Sequence, residues 1–465
     1  MSKDTRLIAI SGLRFMRNYH LIFAQGVKRM KILYEITYAT RGQSGIPKDT
    51  IALAKILLNS DGLQSDLVLN PKSYTGRKKK NKKNLKWVSN ELGDALRDDP
   101  GRTVIPKRIL SALILLQSFS PSRFVQMSKL NKMHSVNVFS FLNLMPNLKQ
   151  KYESQILLLL LSYASRFVRP GYLKPFRIKT SEYDIFIQQQ VDPISISRKT
   201  KHIVRLHDIL PISHPQYFNQ NAVQIFSKSL TLMLKGSKKI WVMDTQHSAN
   251  EFKEYFGDEL DVRVVPCVVQ AKRLHAEIQM KKLNQICLVN TIEPRKRTKM
   301  AIDGFMEAKR RALLPQDWQL VIVGKEGWQE KLLTKNLRGQ VFGPDIVFKE
   351  NCSDFELETV YSESKIVLSA TAAEGFGLTP LEGMAYGCLP VVSDIPQHHE
   401  TIQDLGLYFE GELPQRIAEK LGQALEVLSK NELEVSKKLM KHIRTNYSEE
   451  LISKKWLDLL LGVQN

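Results

Sequence analysis

A rhythm, more than any single motif, restricts what this chain can fold into. From Asp184 onward short apolar runs recur at Asp184–Ile187, Ile203–Leu206, Ile240–Met243 and Val262–Val265, then at Ile286–Val289, Leu320–Val323, Ile346–Phe348, Ile366–Ser369 and Pro390–Ser393. Helical periodicity separates several of them, with helices expected at Lys299–Ala308, Asp354–Ser362 and Pro380–Tyr386. Short, continuously apolar runs alternating with helices suit strands covered on both faces, the pattern of parallel sheets. The chain opens in the same way: Lys31–Tyr38 reads as a strand, residues 39–50 as a glycine-bearing loop, and Ile51–Leu58 as the start of a helix. That order begins a doubly wound α/β domain. Pro266 and the weakly patterned stretch to Lys282 read as a junction. A length of 465 residues exceeds what one ordinary core organises, so two α/β domains in tandem are expected.

Charge narrows the partners. The 68 Lys and Arg against 47 Asp and Glu leave a formal charge of +21, which points to a polyanion: nucleic acid, an anionic membrane surface or a phosphorylated substrate. Residues 71–86 (PKSYTGRKKKNKKNLK) hold eight basic residues and no acid. They read either as a solvated loop or, through residues 77–86, as a contact with anionic headgroups or a phosphorylated acceptor. Aromatic residues are not interleaved with the charge, which argues against nucleic acid. Residues 100–180 alternate apolar stretches (Ile109–Phe119, Ile156–Phe167) with basic residues, as core helices or as amphipathic helices on a bilayer. The four cysteines form no C-x-x-C pair, so buried thiols in a reducing compartment are expected rather than a disulfide or zinc framework. No segment reaches the ~18 apolar residues of a membrane span. Residues 1–29 lack a secretory leader's pattern and read as an extension ahead of Met30. A cytoplasmic protein is expected, with a peripheral place on the inner face of the plasma membrane as the further possibility.

Chemistry concentrates in residues 366–393 (IVLSATAAEGFGLTPLEGMAYGCLPVVS). A buried strand runs into a loop with Glu374, Gly375 and Gly377, and a helix is expected with Thr379 as N-cap and Pro380 at its first position. A glycine-rich loop entering a helix presents free N–H groups and partial positive charge, which suits a diphosphate. Glu382 has two readings. Thr379-Pro-Leu-Glu382 spells a capping box, or Glu382 and Glu374 together grip sugar and ribose hydroxyls. Arg295 and Lys296 follow the strand at Ile286–Val289 and so stand at the sheet's ligand-binding edge, where positive charge stabilises a departing phosphate. His207 and Asp208 follow the strand at Ile203–Leu206, either as acceptor-side groups with His207 near the anomeric carbon or as an ordinary turn. No Asp-x-Asp occurs, so no metal and no cofactor are expected, with Arg, Lys and the helix start neutralising the diphosphate.

The segment Glu374-Gly-Phe-Gly-Leu378, followed by Glu382, resembles the E-x7-E signature of glycosyltransferase family 4. Four further segments agree in order: residues 291–297 (TIEPRKR) with T-x-E-P-R-K-N, Val323–Trp328 with G-K-x-G-W, Ser353–Tyr361 with S-D-E-E-L…L-Y, and residues 387–393 (GCLPVVS) with G-x-P-V-V-x-S. Residues 207–218 (HDILPISHPQYF) are similar to the family's H-D-x-x-P…H-P-E-Y-F stretch, and Gly45-Ile46-Pro47 to its acceptor-side glycine loop. Arg297 stands where Asn is usual, and His398-His399 where Leu-Pro is common before Glu400.

The resemblance implies the two-domain GT-B fold and a retaining glycosyltransferase, with spellings closest to mannosyltransferase-like enzymes of bacterial surface polysaccharide (lipopolysaccharide-type) synthesis. A nucleotide-sugar donor would be held by Arg295, Lys296, Gly375, Phe376, Gly377, Leu378, Thr379 and Glu382. His207 and Glu374 would act catalytically, and Gly45, Ile46 and Asp208 would face a glycan or lipid-linked acceptor. Residues 30–270 would form the acceptor domain, with a basic insertion near 71–180. Residues 271–445 would form the donor domain, and 446–465 a helix crossing back. A nucleotide-sugar epimerase or hydrolase of the same shape and a non-catalytic anion-binding protein are the alternatives.

Overall fold

The computed structural model describes residues 29–36, 45–68, 123–124, 176–178, 180–189, 191–269 and 282–464. The basic run at 77–86, the apolar stretches at 109–119 and 156–167, most of the N-terminal extension and the junction residues 270–281 lie outside them. The chain divides into two compact units. One comprises residues up to Arg205 with Ser229–Trp241 and Leu461–Asn465, and the other Leu206–Lys228 with Val242–Leu460.

The first sheet has six strands in the order Leu63–Val68, Met30–Glu35, Ile185–Gln188, Lys201–Arg205, Ile240–Met243, Asp261–Val264. Met30–Glu35 pairs parallel with both neighbours, and Ile185–Gln188 pairs parallel with Lys201–Arg205. A small parallel sheet joins Arg123–Phe124, Phe176–Ile178 and Ile194–Ser195. Here the sequence reading needs two corrections. The strand Leu63–Val68 is too polar (LQSDLV) to announce itself. The expected loop at 39–50 is helical from Gly45, in a helix that runs to Asn59. Gly45 and Ile46 are therefore its first two residues and not a loop. Pro47 sits in the first turn, where its missing N–H has no intrahelical role, so a Gly-x-Pro spelling that looks like a loop opens a helix instead.

The second sheet, also six-stranded and parallel throughout, runs Ile346–Glu350, Gln319–Glu326, Gln285–Ile292, Ile366–Ser369, Leu389–Ser393, Leu407–Phe409. In chain order this is 3-2-1-4-5-6, so the direction of winding reverses between Gln285–Ile292 and Ile366–Ser369. Ligands of open α/β sheets bind outside the carboxyl ends of the strands at such a reversal. Its core is packed from Phe305 and Ala301 of helix Thr298–Arg310, from Ile417 and Leu421 of helix Pro414–Tyr447, and from Trp318 and Leu320 beneath them. Deleting a side chain as large as Phe305 from such packing costs about 3–5 kcal/mol. Gly383 lets helix Leu378–Ala385 lie on the sheet, because a Cβ there would come within 2.7 Å of the Val367 side chain.

Three cysteines are buried, and Cys352 is only partly so; all four are free thiols. Among the described residues no helix is long and apolar enough to cross a membrane.

Candidate functional site

The site is built at the winding reversal of the second unit. The strand Gln285–Ile292 ends at Glu293, and Pro294–Lys296 make one 3-10 turn. The strand Ile366–Ser369 continues into the turn around Glu374. Backbone joins the two, with the Ala372 N–H donating to the Arg295 carbonyl at 2.8 Å. Arg295 Nη1 donates to the Ala373 carbonyl at 2.6 Å and to Glu374 Oε2 at 3.1 Å, while Nη2 donates to Glu293 Oε1 at 3.0 Å. Lys296 Nζ donates to Glu374 Oε1. Arg295, Lys296 and Glu374, three of the residues placed in the site from sequence, therefore form one ion cluster. Arg295 Nε is buried without a hydrogen-bond partner.

The cluster sets its own protonation. Burial pushes the Glu374 carboxyl up, but the charges of Lys296 and Arg295 outweigh it and hold the group at about 2. Burial pulls the Lys296 ammonium down, only partly opposed by Glu374. Burial also works against the Arg295 charge, and its acidic neighbours Glu374, Glu293 and Asp208 more than restore it.

The glycine turn explains itself locally. Gly377 has φ 81 and ψ 47, the left-handed conformation that glycine adopts without penalty, and is the N-cap of helix Leu378–Ala385. No side chain caps that helix. Thr379 is therefore not the N-cap, and the expected capping box does not form. Glycine's conformational freedom starts the helix two residues earlier, with Pro380 still in its first turn. Glu382 instead takes a hydrogen bond from the buried Tyr361 hydroxyl at 3.0 Å. That phenol is pushed well above its ordinary range by burial and by the Glu382 charge. Phe376 is packed edge-on against Tyr447, with ring centroids 5.6 Å apart, so the turn offers its backbone rather than that side chain. Leu378 and Thr379 stand in the uncapped first turn, where unpaired N–H groups and the dipole favour an anion.

His207 and Asp208 come to the same turn. A Cβ on Gly375 would lie 2.7 Å from the His207 carbonyl and 3.0 Å from Asp208 Oδ2, so only glycine permits this approach. His207 Nδ1 lies 2.8 Å from Asp244 Oδ2, and the carboxylate fixes the proton on that nitrogen. Burial raises the Asp208 carboxyl, with Arg295 opposing. Asp244 was not singled out in the sequence, although it directly follows Ile240–Met243 at the ligand-binding end of a strand. Glu400, in helix Pro396–Ile402, accepts from the N–H groups of Gln246 at 2.6 Å and His247 at 2.9 Å, and so caps helix Gln246–Phe256. Gly45 and Ile46 lie in the first unit.

Arg297 stands where the motif it resembles carries Asn. It has φ 48 and ψ 39, a left-handed conformation that Asn tolerates better than Arg. Its guanidinium reaches Glu412 and, at 3.5 Å, the Tyr217 hydroxyl.

Residues 271–441 match the family model of the group 1 glycosyl transferases. The serotype-specific mannosyltransferase WbdA of Escherichia coli is 27% identical over 249 residues, covering 49% of this chain and 30% of that protein. The O-antigen chain mannosyltransferase B of Escherichia coli is 25% identical over 245 residues, 49% of this chain and 62% of the relative. The O-antigen chain mannosyltransferase RfbU of Salmonella typhimurium is 27% identical over 211 residues, 44% of this chain and 55% of the relative. The chain thus spans less than a third of WbdA's length. Among solved structures, Anabaena HepE, crystallised with UDP-glucose, superposes with a TM-score of 0.57 at 13% identity over 93% of this chain and 100% of that one. A Rickettsia africae glycosyltransferase gives 0.55 at 14% identity over 94% and 99%. These likenesses establish the fold as GT-B, as the sequence resemblance implies.

Proposed function

We propose that the chain is a retaining glycosyltransferase that takes a hexose, mannose in the first instance, from a nucleotide diphosphate donor. The acceptor is a glycan or lipid-linked glycan of cell-surface polysaccharide synthesis. The observation that carries this reading is the Arg295–Lys296–Glu374 cluster set beside an uncapped helix start at Gly377. Two cations and free helix N–H groups meet the diphosphate as its negative charge grows on sugar departure. Glu374 then exchanges its cations for sugar hydroxyls. His207, oriented by Asp244, stands on the acceptor side with Asp208. Glu382, tied to Tyr361, stands eight residues from Glu374 as the ribose-side carboxylate. The mannosyltransferase relatives support the choice of sugar and of pathway class. With no Asp-x-Asp in the chain, the reaction proceeds without a divalent cation.

The test is a panel of GDP-, UDP- and dTDP-sugars scored for nucleoside diphosphate release with and without a mannosylated acceptor, in EDTA. Release from GDP-mannose that requires acceptor and survives chelation is expected. Release without acceptor would favour a hydrolase, and activity restored only by magnesium or manganese would overturn the metal-free mechanism.

A further inference from the structure

His398 stands where the resembling motif has leucine, and its ring packs against Gly377 of the turn. It is fully buried. Its Nδ1 lies 2.8 Å from the Ser393 carbonyl, which can only accept, so Nδ1 carries the proton. Burial lowers the ring's pKa to about 4, with the Lys296 charge adding to that and Glu374 and the Ser393 bond opposing it. The ring is therefore neutral and its Nε2 is a bare lone pair, buried with no hydrogen-bond partner. The Gly377 backbone packs against the ring: a Cβ built there would lie 3.1 Å from His398 Cδ2 and 3.4 Å from Nε2.

A buried acceptor without a donor disfavours the arrangement that contains it. Leucine would avoid the penalty at this position, so the lone pair has a use only if some other arrangement of the turn satisfies it. Arg295, bonded to Glu374 through Nη1, carries a second buried polar atom without a partner, its Nε. His398 and Arg295 thus each bring an unsatisfied buried atom to residues of the Glu374–Gly377 turn, Arg295 at Glu374 and His398 at Gly377.

We propose that His398 is a positioning residue for the Glu374–Gly377 turn, its Nε2 accepting a backbone N–H of that turn once the turn rearranges around the bound nucleotide sugar. Without that rearrangement the lone pair stays unsatisfied, and donor binding relieves it. His398 thus adds to donor affinity without touching the donor. The inference rests on the nucleotide-sugar reading above.

The experiment uses the full chain with GDP-mannose and UDP-glucose, in two variants, read by calorimetric affinity and donor-free melting. His398→Leu removes the lone pair, and His398→Gln returns an acceptor near the Nε2 position. His398→Leu should melt at or above the wild-type temperature without donor, yet bind donor about three- to tenfold more weakly, the range of one net hydrogen bond. His398→Gln should recover most of that affinity. Wild-type donor affinity in His398→Leu would overturn the proposal while leaving the glycosyltransferase reading intact. So would early melting of that variant, or a Gln variant as weak as Leu. Failure of the wild-type chain to bind either sugar nucleotide would instead remove the underlying reading, and this inference with it.

Discussion

Two buried ion clusters, one in each unit, carry similar groups and differ in what they leave undone. In the first unit Arg205 donates to Asp49 through Nε and Nη2, both at 3.3 Å, and Gln189 Nε2 donates to Asp49 Oδ2 at 3.1 Å. The Thr50 hydroxyl donates in turn to Gln189. Arg205 and Asp49 are 0% and 5% exposed. In the second unit Arg295, Lys296 and Glu374 keep 13%, 15% and 14% exposure, and Arg295 Nε has no partner. Both clusters stand at carboxyl ends of parallel strands, so position alone does not tell them apart. The difference lies in closure. The first is packed and bonded as a part of the core, whereas the second keeps solvent contact and an open donor, as the proposed exchange of partners requires.

The largest effect should come from opening the closed cluster. Arg205→Met leaves the Asp49 carboxylate buried without its cation, and breaking such a pair costs about 3–5 kcal/mol. Denaturant unfolding measures it. A loss below ~1 kcal/mol would erase the distinction between the clusters.

The open cluster should answer in binding instead. On the proposed reading Lys296→Ala removes a charge-assisted contact to the diphosphate, and GDP affinity should fall by about 1.5–3 kcal/mol. Unchanged affinity in calorimetry would take Lys296 out of the site.

The pH dependence sharpens the contrast further. The Glu374 carboxyl is held at about 2 in the folded chain, below its ordinary 4.5, so its pairing with Lys296 and Arg295 stabilises the fold above the unfolded value. That contribution is fully present above about pH 5 and is lost as pH falls from there toward 2. Glu374→Gln should therefore melt below wild type at neutral pH, with the gap narrowing as the solution is acidified below pH 5. A gap constant from pH 7 to 3 would show that charge pairing is not what the carboxylate contributes.

The open cluster was legible in the sequence and the closed one was not. Arg295, Lys296 and Glu374 each follow a readable strand, because short apolar runs such as Ile286–Val289 and Ile366–Ser369 stand out in the sequence. Asp49 and Arg205 are 156 positions apart, and Asp49 lies in a helix spelled like a loop, so no local pattern joins them. Glu382 shows a subtler limit. Its spacing from Thr379 satisfies a capping box, but Gly377 supplies a left-handed start that the spelling cannot display, and the carboxylate is taken by Tyr361 from another helix. His398 stands out as a departure from the motif the segment resembles, yet only its hydrogen bond to Ser393 determines which nitrogen is bare.

The smallest effect tests the other departure, Arg297, where two opposing terms nearly balance. A left-handed conformation costs a residue with a Cβ roughly 1–2 kcal/mol, and Asn recovers part of this through local hydrogen bonding of its short side chain. Against that stands the ion pair with Glu412, whose side chain is 71% exposed and which is worth about 0–1 kcal/mol at such exposure. The hydrogen bond to Tyr217, at 3.5 Å, adds little. Arg297→Asn should therefore raise stability by about 0.5 kcal/mol. Glu412→Gln isolates the ion pair and should change stability by no more than about 0.5 kcal/mol. Since the Arg297 guanidinium points to Tyr217 and Glu412 rather than to Glu374, donor affinity should stay within about twofold of wild type in both variants. If Arg297→Asn proved destabilising while Glu412→Gln was neutral, backbone strain would not be the reason the family prefers Asn. If instead it weakened the donor complex, Arg297 would have to be counted with Arg295 and Lys296 in the open cluster.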